Sequence, residues 1–269
     1  MRFRYLFFSI LLLNLVSCGG KKTPSLEKNN FSSSKVIVGE DLPDWKVVNN
    51  EDEIEFDYTR SVGLLKVDGA RCTGFLVGLD TVMTNHHCIP DQKTANSTHL
   101  TLQSWKTDYR GEKYLAKKTF LCDQLIINSQ ELDFALAKCK NAPGREFGFV
   151  KLSEEHINES TSIRVIHHNC DYHRLPSGCA PQRLVSKGKV LPEANIDTFF
   201  HTADTLPGSS GAPVFSNYTG EVIGLHNSGY MKKGESKMGK GLYNGAIKIN
   251  KIVQFINNKL PSFVWPFHY

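Results

Sequence analysis

The sequence predicts an all-β protein that ends in one α-helix. Short runs rich in β-branched and aromatic residues alternate with Asp-Gly, Gly-Arg and Ser-Gly pairs, which are typical of turns. Four such runs are 61–67, 74–85, 162–168 and 221–227. A helical period is convincing only at 249–260, where apolar side chains share one face and Pro261 ends the pattern. Many short strands before a single helix favour an antiparallel sandwich or a pair of barrels.

The composition is that of a globular protein and excludes several classes. The chain has 269 residues, of which 40% are hydrophobic and 22% charged, too apolar a balance for a disordered chain. The net charge of +5 is small and scattered, which argues against nucleic-acid binding. No apolar stretch after residue 18 reaches the roughly 18 residues that a membrane-spanning helix needs. The seven cysteines are an odd number, which calls for an explanation in an exported protein.

The first 18 residues are typical of an export signal. Arg2 and Arg4 precede an apolar run, and a small residue follows it before Cys18. The ending LVSC resembles a bacterial lipobox, which implies a signal peptide over 1–17 and a diacylglycerol on Cys18. Cleavage there would remove two arginines and lower the net charge from +5 to +3. The alternative is an ordinary signal peptide with an incidental cysteine.

Residues 18–35 contain mostly Gly, Ser, Lys and Asn and offer little apolar surface to bury. This composition predicts a lipid-anchored flexible tether or a propeptide ahead of the folded domain.

Three local motifs stand in the order His, Asp, Ser. TNHHC at 84–88 ends an apolar strand, LDFALA at 132–137 opens one, and GSSGAP at 208–213 is a glycine-rich turn. Each is weak alone, but together they resemble the chymotrypsin-like serine proteases, whose sites read Thr-x-x-His-Cys, Asp-x-Ala-Leu and Gly-x-Ser-Gly-x-Pro. The resemblance covers about 36–260.

The resemblance implies a protease domain over 36–269 built from two antiparallel six-stranded β-barrels packed together. The first barrel is expected over about 36–145, the second over about 146–248, and the C-terminal helix over about 249–260.

The same family implies a catalytic triad that cleaves peptide bonds through an acyl-enzyme. A serine hydroxyl is a poor nucleophile without an adjacent base, so His87 would take the proton of Ser210 while Asp133 orients the imidazole. His86 and Ser209 are the adjacent alternatives. The family motifs place the base directly before Cys and the nucleophile directly before Gly, which favours His87 and Ser210.

The glycine-rich turn has a separate role in this interpretation. The backbone amides of Gly208 and Ser210 would form the oxyanion hole. This chemistry needs neither a metal nor a cofactor. A zinc site is the competing interpretation of the many cysteines and histidines, but no C-x-x-C or H-x-x-x-H spacing occurs.

The cysteines fit the same family. If Cys18 carries lipid, six cysteines remain for disulfides in an oxidising compartment. The family's disulfide behind the catalytic His implies a bond between Cys72 and Cys88. Proximity then suggests two further pairs, with other pairings open: Cys122–Cys139 and Cys170–Cys179.

Substrate preference has two open interpretations. The segment GEVIGLHNSGY at 220–230 resembles the bacterial glutamyl endopeptidase branch, which implies that Thr205 and His226 bind a Glu carboxylate through their polar groups. Asp204, however, stands where trypsin-like enzymes hold the Asp that recognises Lys or Arg. A carboxylate there would attract a cation and repel Glu. We favour the acidic preference.

The N-terminus of the working enzyme is also open. VIVG at 36–39 after Lys35 resembles the mature start of this branch, whose N-terminal amine takes part in the site. Cleavage there would release the chain from a lipid on Cys18, so an envelope lipoprotein and a secreted protein are alternatives. Ser209 replaces the Asp that trypsin-like zymogens pair with a new N-terminus, which predicts no such switch through residue 209.

The sequence therefore predicts a bacterial exported serine endopeptidase, monomeric, acting on polypeptides. It would bind no nucleic acid and would contact a membrane only through Cys18. A catalytically inactive protease-like binding lipoprotein and a structural envelope lipoprotein are the alternatives from other classes.

Overall fold

The computed structural model describes residues 36–266. It leaves out 40–41, 56, 155–156, 173, 176–177, 193–194 and 232–239, and the side chains of 53–55. The predicted signal peptide, the lipidation site Cys18 and the tether over 18–35 lie outside the described residues. Among the helices that are described, none combines the length and apolar character needed to cross a bilayer.

The described chain is mostly β-structure. Its strands are β1 (Ile37–Val38), β2 (Lys46–Val47), β3 (Val62–Val67), β4 (Ala70–Leu76), β5 (Thr81–Thr84), β6 (His99–Thr107), β7 (Lys113–Leu121), β8 (Gln124–Ser129), β9 (Phe134–Lys138), β10 (Ser162–His167), β11 (Leu184–Lys189), β12 (Thr198–His201), β13 (Pro213–Ser216), β14 (Val222–Tyr230), β15 (Lys240–Gly241) and β16 (Tyr243–Lys248). Its helices are α1 (Asn50–Glu55), a 3-10 helix (Asp57–Ser61), α2 (Gln92–Ala95), α3 (Gly144–Phe147) and α4 (Ile249–Lys259).

The strands form two antiparallel sheets of seven, and a short parallel pair joins β1 to β15. The first sheet has the order β7-β6-β3-β4-β5-β9-β8, and the second has the order β12-β16-β14-β13-β10-β11-β2. The predicted all-β class with two antiparallel halves and a C-terminal helix is confirmed. The strand number is seven in each sheet where six were expected. In the second sheet, the two-residue β2 adds to the edge of β11, and it is too short to be visible as a strand in the sequence.

Two boundaries differ from the prediction. The run 74–85 is the end of one strand and the whole of the next, because the chain turns at 77–80, where Val77 N donates to Thr81 O at 2.9 Å. The segment 36–48 was assigned to the first half, but β2 pairs with the second sheet. Val48 N also donates to Arg183 O there, at 3.0 Å.

Among the described residues, the buried apolar side chains form three clusters. One lies within the first sheet and another within the second. A third combines residues of both sheets with α4, including Phe134, Phe215, Leu225, Ile252 and Ile256. Because this cluster joins β9 to β13 and β14, burial of its side chains holds the two halves of the fold together.

Disulfide bonds are confirmed, and the described cysteines are joined in three pairs. The pairs are Cys72–Cys88, Cys122–Cys139 and Cys170–Cys179. Such bonds persist in oxidising compartments, which is consistent with an exported protein. They also stabilise the fold by restricting the unfolded chain.

Candidate active site

A short turn after β5 presents His87. Cys88 N and Ile89 N both donate to Asn85 O at 3.2 Å, so the chain reverses directly around the histidine. The disulfide from Cys88 to Cys72 fastens this turn to β4. The side chain of His87 keeps 43% of its surface exposed. The disulfide therefore holds the backbone of this turn while the imidazole stays accessible to solvent.

Asp133 reaches the same ring from the turn before β9. Its carboxylate lies 2.9 and 3.0 Å from His87 Nδ1 and accepts a hydrogen bond from His87 N at 3.1 Å. Asn85 Nδ2 donates to Asp133 O at 2.9 Å, which ties the two turns together. Because a carboxylate can only accept, this contact assigns the proton of the neutral imidazole to Nδ1 and leaves Nε2 as an acceptor.

Ser210 completes the arrangement. Its Oγ lies 2.8 Å from His87 Nε2, and its carbonyl accepts from Thr73 N at 2.7 Å. The next residue, Gly211, has a φ of 80°, and a Cβ there would overlap Thr84 Oγ1 and Thr73 O. Glycine is required at this position because the turn packs directly against β4 and β5.

The neighbouring Ser209 points elsewhere. Ser209 is fully buried, and its Oγ lies 2.7 Å from His167 Nδ1, while His167 Nε2 lies 3.1 Å from Ser186 Oγ. Burial lowers the pKa of His167 to about 3, so this group stays neutral. The structure therefore brings His87, and not His86, to Ser210, and it turns Ser209 into the interior.

The turn before Ser210 leaves two amides available. Gly208 has a φ of 97°, and a Cβ there would lie 3.0 Å from His168 O. Within the described residues, neither Gly208 N nor Ser210 N donates a hydrogen bond to a protein acceptor. These are the two amides that the sequence predicts as the oxyanion hole.

An open cleft of about 800 Å³ runs past these groups. Its lining includes His87, Asp133, Gly208 and Ser210.

Asp204 is buried and accepts hydrogen bonds from the N-terminal segment. Its two carboxylate oxygens accept from Val38 N at 2.7 Å and from Asp44 N at 3.0 Å. Burial raises the pKa of Asp204, which these two hydrogen bonds partly offset. The charge that would recognise Lys or Arg is thus engaged by backbone amides.

The other two predicted pocket residues are fully buried and have partners that the sequence analysis missed. Thr205 Oγ1 donates to Asn244 Oδ1 at 2.8 Å, and His226 Nδ1 lies 3.3 Å from His201 Nε2. Burial lowers the pKa of His201 to about 3. Asn244 lies on β16 and His201 on β12, so only sheet pairing brings them to the pocket. In the sequence, His201 and Asn244 are polar residues within runs of mainly apolar and aromatic residues, and this was the signal that could have identified them.

One group of potential metal ligands occurs in the described part of the chain: Cys72, His87 and Cys88. The two sulfurs are joined to each other, so neither offers the thiolate that zinc binds. This cluster therefore belongs to the His87 turn rather than to a metal site.

The Asp44–Asp204 contact makes stability depend on pH. Burial, and then the charge of Asp204, raise the pKa of Asp44 to about 6. A carboxyl whose pKa is higher in the folded than in the unfolded chain favours folding when protonated. Stability is then lost as the pH rises from about 4 through about 6.

We expect Asp44→Asn to raise the melting temperature at pH 8 by about 2–4 °C and to change it little at pH 4. The effect is modest because the Asp44 carboxyl is partly solvated. The side-chain amide of the introduced asparagine also keeps a donor for the Asp204 carboxylate. Thermal unfolding across pH 4–8 tests this. Asp52→Asn is the control of opposite sign. Burial raises the pKa of Asp52, but hydrogen bonds from Asn49 and Lys46 outweigh the effect of burial and lower this pKa overall. A difference at pH 4 alone would contradict the Asp44 assignment.

Comparison with known proteins gives a family and a fold. Residues 72–225 match the family described as trypsin-like peptidase domain. No curated protein matches the chain significantly. A structure of a Glu endopeptidase in complex with MPD is 21% identical and covers 83% of this chain and 99% of its own, with a TM-score of 0.61. An inactive mutant form of Rv3671c from M. tuberculosis H37Rv is 16% identical and covers 84% and 97%, with a TM-score of 0.54. At these identities the two structures show a shared chymotrypsin-like fold.

Proposed function

The chain belongs to the trypsin-like peptidase family of serine endopeptidases, which act on polypeptides, and from that premise we propose that it is exported, that His87, Asp133 and Ser210 are its triad, and that it cleaves after Glu or Asp. The observation that carries the triad is the continuous contact from Asp133 to His87 Nδ1 at 2.9 Å and from His87 Nε2 to Ser210 Oγ at 2.8 Å.

The proposed reaction follows from this geometry. Ser210 Oγ attacks the scissile carbonyl while His87 Nε2 takes its proton, and Asp133 stabilises the resulting imidazolium. Gly208 N and Ser210 N donate to the oxyanion of the tetrahedral intermediate. His87 then returns the proton to the leaving amine, which leaves an acyl group on Ser210. Water, activated by the same imidazole, hydrolyses this ester and restores the enzyme.

The acidic preference is supported by the surroundings of the predicted pocket. Asp204 is buried, and its two oxygens already accept from Val38 N and Asp44 N, so a Lys or Arg side chain would compete with these amides for the carboxylate. Thr205 and His226 instead place a hydroxyl and an imidazole at the pocket, and the Thr205 hydroxyl could donate to a substrate carboxylate by turning away from Asn244 Oδ1. The likeness to a Glu endopeptidase supports the same substrate.

The N-terminal segment supports a mature start at Val36. Val36 N donates to Asn244 Oδ1 at 3.0 Å, and this oxygen also accepts from Thr205 Oγ1 at 2.8 Å. Cleavage after Lys35 would turn Val36 N into an ammonium group beside Thr205. A positive charge there would favour a substrate carboxylate. We therefore propose that cleavage both releases the protein from its anchor and completes its pocket.

Cleavage of a peptide library by the protein, before and after treatment with a lysine-specific protease, tests the preference. We expect cleavage after Glu or Asp, faster once Val36 is the first residue. Cleavage after Lys or Arg that Asp204→Asn abolishes would contradict the proposal and favour the alternative preference.

Thr205→Val is expected to lower kcat/KM for a Glu substrate by about 10- to 100-fold while leaving a substrate with a small apolar residue much less affected. Valine keeps the shape of threonine but removes the hydroxyl, and with it the hydrogen bond to Asn244 Oδ1. The loss of that bond affects both peptides, so the difference between them reports the hydrogen bond to the Glu carboxylate. Steady-state kinetics on two matched peptides measure it. An equal loss on both peptides would argue against a direct role for Thr205.

The export signal is tested separately. We propose that 1–17 is removed and that Cys18 carries a diacylglycerol. Metabolic labelling with radioactive palmitate should mark the precursor, and Cys18→Ala should remove the label. A labelled Cys18→Ala protein would contradict lipidation at this residue.

A further inference from the structure

The hairpin formed by β3 and β4 is rigid. Its strands pair from Val62↔Phe75 to Val67↔Ala70, and Asp68 and Gly69 form the connection. Both residues have positive φ, 41° and 81°. A two-residue connection with two positive φ angles matches the natural twist of antiparallel strands and fixes their register. The first residues of β4 therefore hold a defined position.

This hairpin is fastened to the catalytic groups on two sides. Thr73 N donates to Ser210 O at 2.7 Å, and Thr73 Oγ1 donates to Gly208 O at 2.9 Å. Cys72 is bonded to Cys88 in the turn that carries His87. Arg71 directly precedes Cys72 and Thr73, which form these attachments. Its backbone is therefore fixed relative to the nucleophile Ser210 and to the base His87.

Arg71 brings a cation to the cleft. It is exposed and lines the same cleft as His87 and Ser210, and no other Lys or Arg does so among the described residues. The two acidic residues of that lining are engaged, Asp133 by His87 and Asp68 by a short hydrogen bond from Ser97 Oγ. In the described part of the chain, Arg71 forms no ion pair.

The residue that pairs with Arg71 across the hairpin makes a cation at position 71 energetically unfavourable. Arg71 lies directly opposite Lys66, which is also exposed. Like charges at opposite positions of an antiparallel pair destabilise it. An exposed cation in this position, without an ion-pair partner among the described residues, is available to bind an anionic ligand.

The chemistry of the triad identifies the side of the cleft. His87 must hand its proton to the leaving amine, so the leaving half of the substrate lies on the side of His87 and Cys88. The acyl half then lies on the other side of Ser210, and Asn227 and Ser228 of β14 also line the cleft. Arg71 is attached to the His87 side through Cys72.

We propose that Arg71 is a specificity-determining residue for the leaving half of the substrate, selecting an acidic side chain in the first two positions after the scissile bond. The inference rests on the proposed triad and adds a second site of recognition to it. A guanidinium binds a carboxylate through two parallel hydrogen bonds, which Lys cannot reproduce. Because the residue is exposed, we expect a gain of about three- to tenfold that weakens with salt.

Matched peptides test it, with the best acyl half from the library and Glu, Gln or Lys as the second residue after the bond. The expected order of kcat/KM is Glu, then Gln, then Lys. Arg71→Gln should remove the difference, and Arg71→Glu should reverse it. Arg110→Gln, in the connection between β6 and β7 and outside the cleft lining, is the matched control and should keep the wild-type order.

A chromogenic anilide with the same acyl half separates this inference from the triad. Its leaving group offers no side chain, so dividing the kcat/KM of each variant on the peptides by its kcat/KM on the anilide removes any general effect of the substitution and leaves the effect of the second residue. An Arg71→Glu enzyme that still prefers Glu, or a wild type that ignores charge at this position, would overturn the inference while leaving the triad intact. A folded wild type that does not cleave the anilide would instead contradict the triad, and the inference with it.

Discussion

Replacement of Ser210 by alanine is expected to lower kcat by about a millionfold and to abolish labelling by a fluorophosphonate probe. Its Oγ is the atom that His87 Nε2 contacts at 2.8 Å, so the substitution removes the nucleophile and leaves the base without a partner. Binding and the two amides of the oxyanion hole remain, which predicts a small residual rate above the uncatalysed reaction. Active-site labelling followed by steady-state kinetics measures both quantities.

Ser209→Ala is the matched control for this experiment. Ser209 faces His167 at 2.7 Å, so its loss should leave labelling in place and cost about 1–3 kcal/mol of stability for the unpaired imidazole. Labelling that persists in Ser210→Ala would contradict the assignment of Ser210 as the nucleophile. A folded wild type that does not react at all would favour a protease-like binding protein over a hydrolase.

Asp133→Asn is expected to lower kcat by about ten-thousandfold. The carboxylate accepts from His87 Nδ1 and from His87 N, and an amide that donated to Nδ1 would favour the tautomer with its proton on Nε2. That proton faces Ser210 Oγ, so the imidazole could no longer accept one. The backbone should tolerate the change, because Asp133 has a φ of 42° and Asn is among the few residues that adopt positive φ readily.

Asp68→Asn provides a closely matched control for Asp133→Asn. Asp68 also lines the cleft and also has a positive φ, 41°, but its carboxylate accepts from Ser97 rather than from a catalytic group. We expect kcat within about threefold of the wild type for a substrate that lacks a charged leaving half. Equal losses in the two variants would mean that the charge of the cleft, and not the orientation of His87, matters.

The sequence was most informative where function depends on local chain geometry. His87 and Ser210 lie in short motifs because a turn and its neighbours must position each side chain, and such requirements appear within a few residues. Asn244 and His201 could not be found this way, since they reach the pocket only through the register of β16 with β12 and β14.

The partners of Asp204 could not be predicted from residue type either. Its two oxygens accept from the backbone of the N-terminal segment, and this contact depends on the tertiary fold. The strand β2 escaped prediction for a related reason. Two residues carry no period, and their pairing with β11 follows from tertiary contacts.

The neutral contact between Ser209 and His167 has a consequence for the order of events in maturation. Where an ion pair with a new N-terminus holds the nucleophile turn, reactivity must wait for proteolysis. This turn is held by uncharged groups that come together as the chain folds, and burial keeps His167 uncharged down to about pH 3. The precursor should therefore already react with a small fluorophosphonate, and removal of its first 35 residues would decide which substrates it selects rather than whether it can attack them.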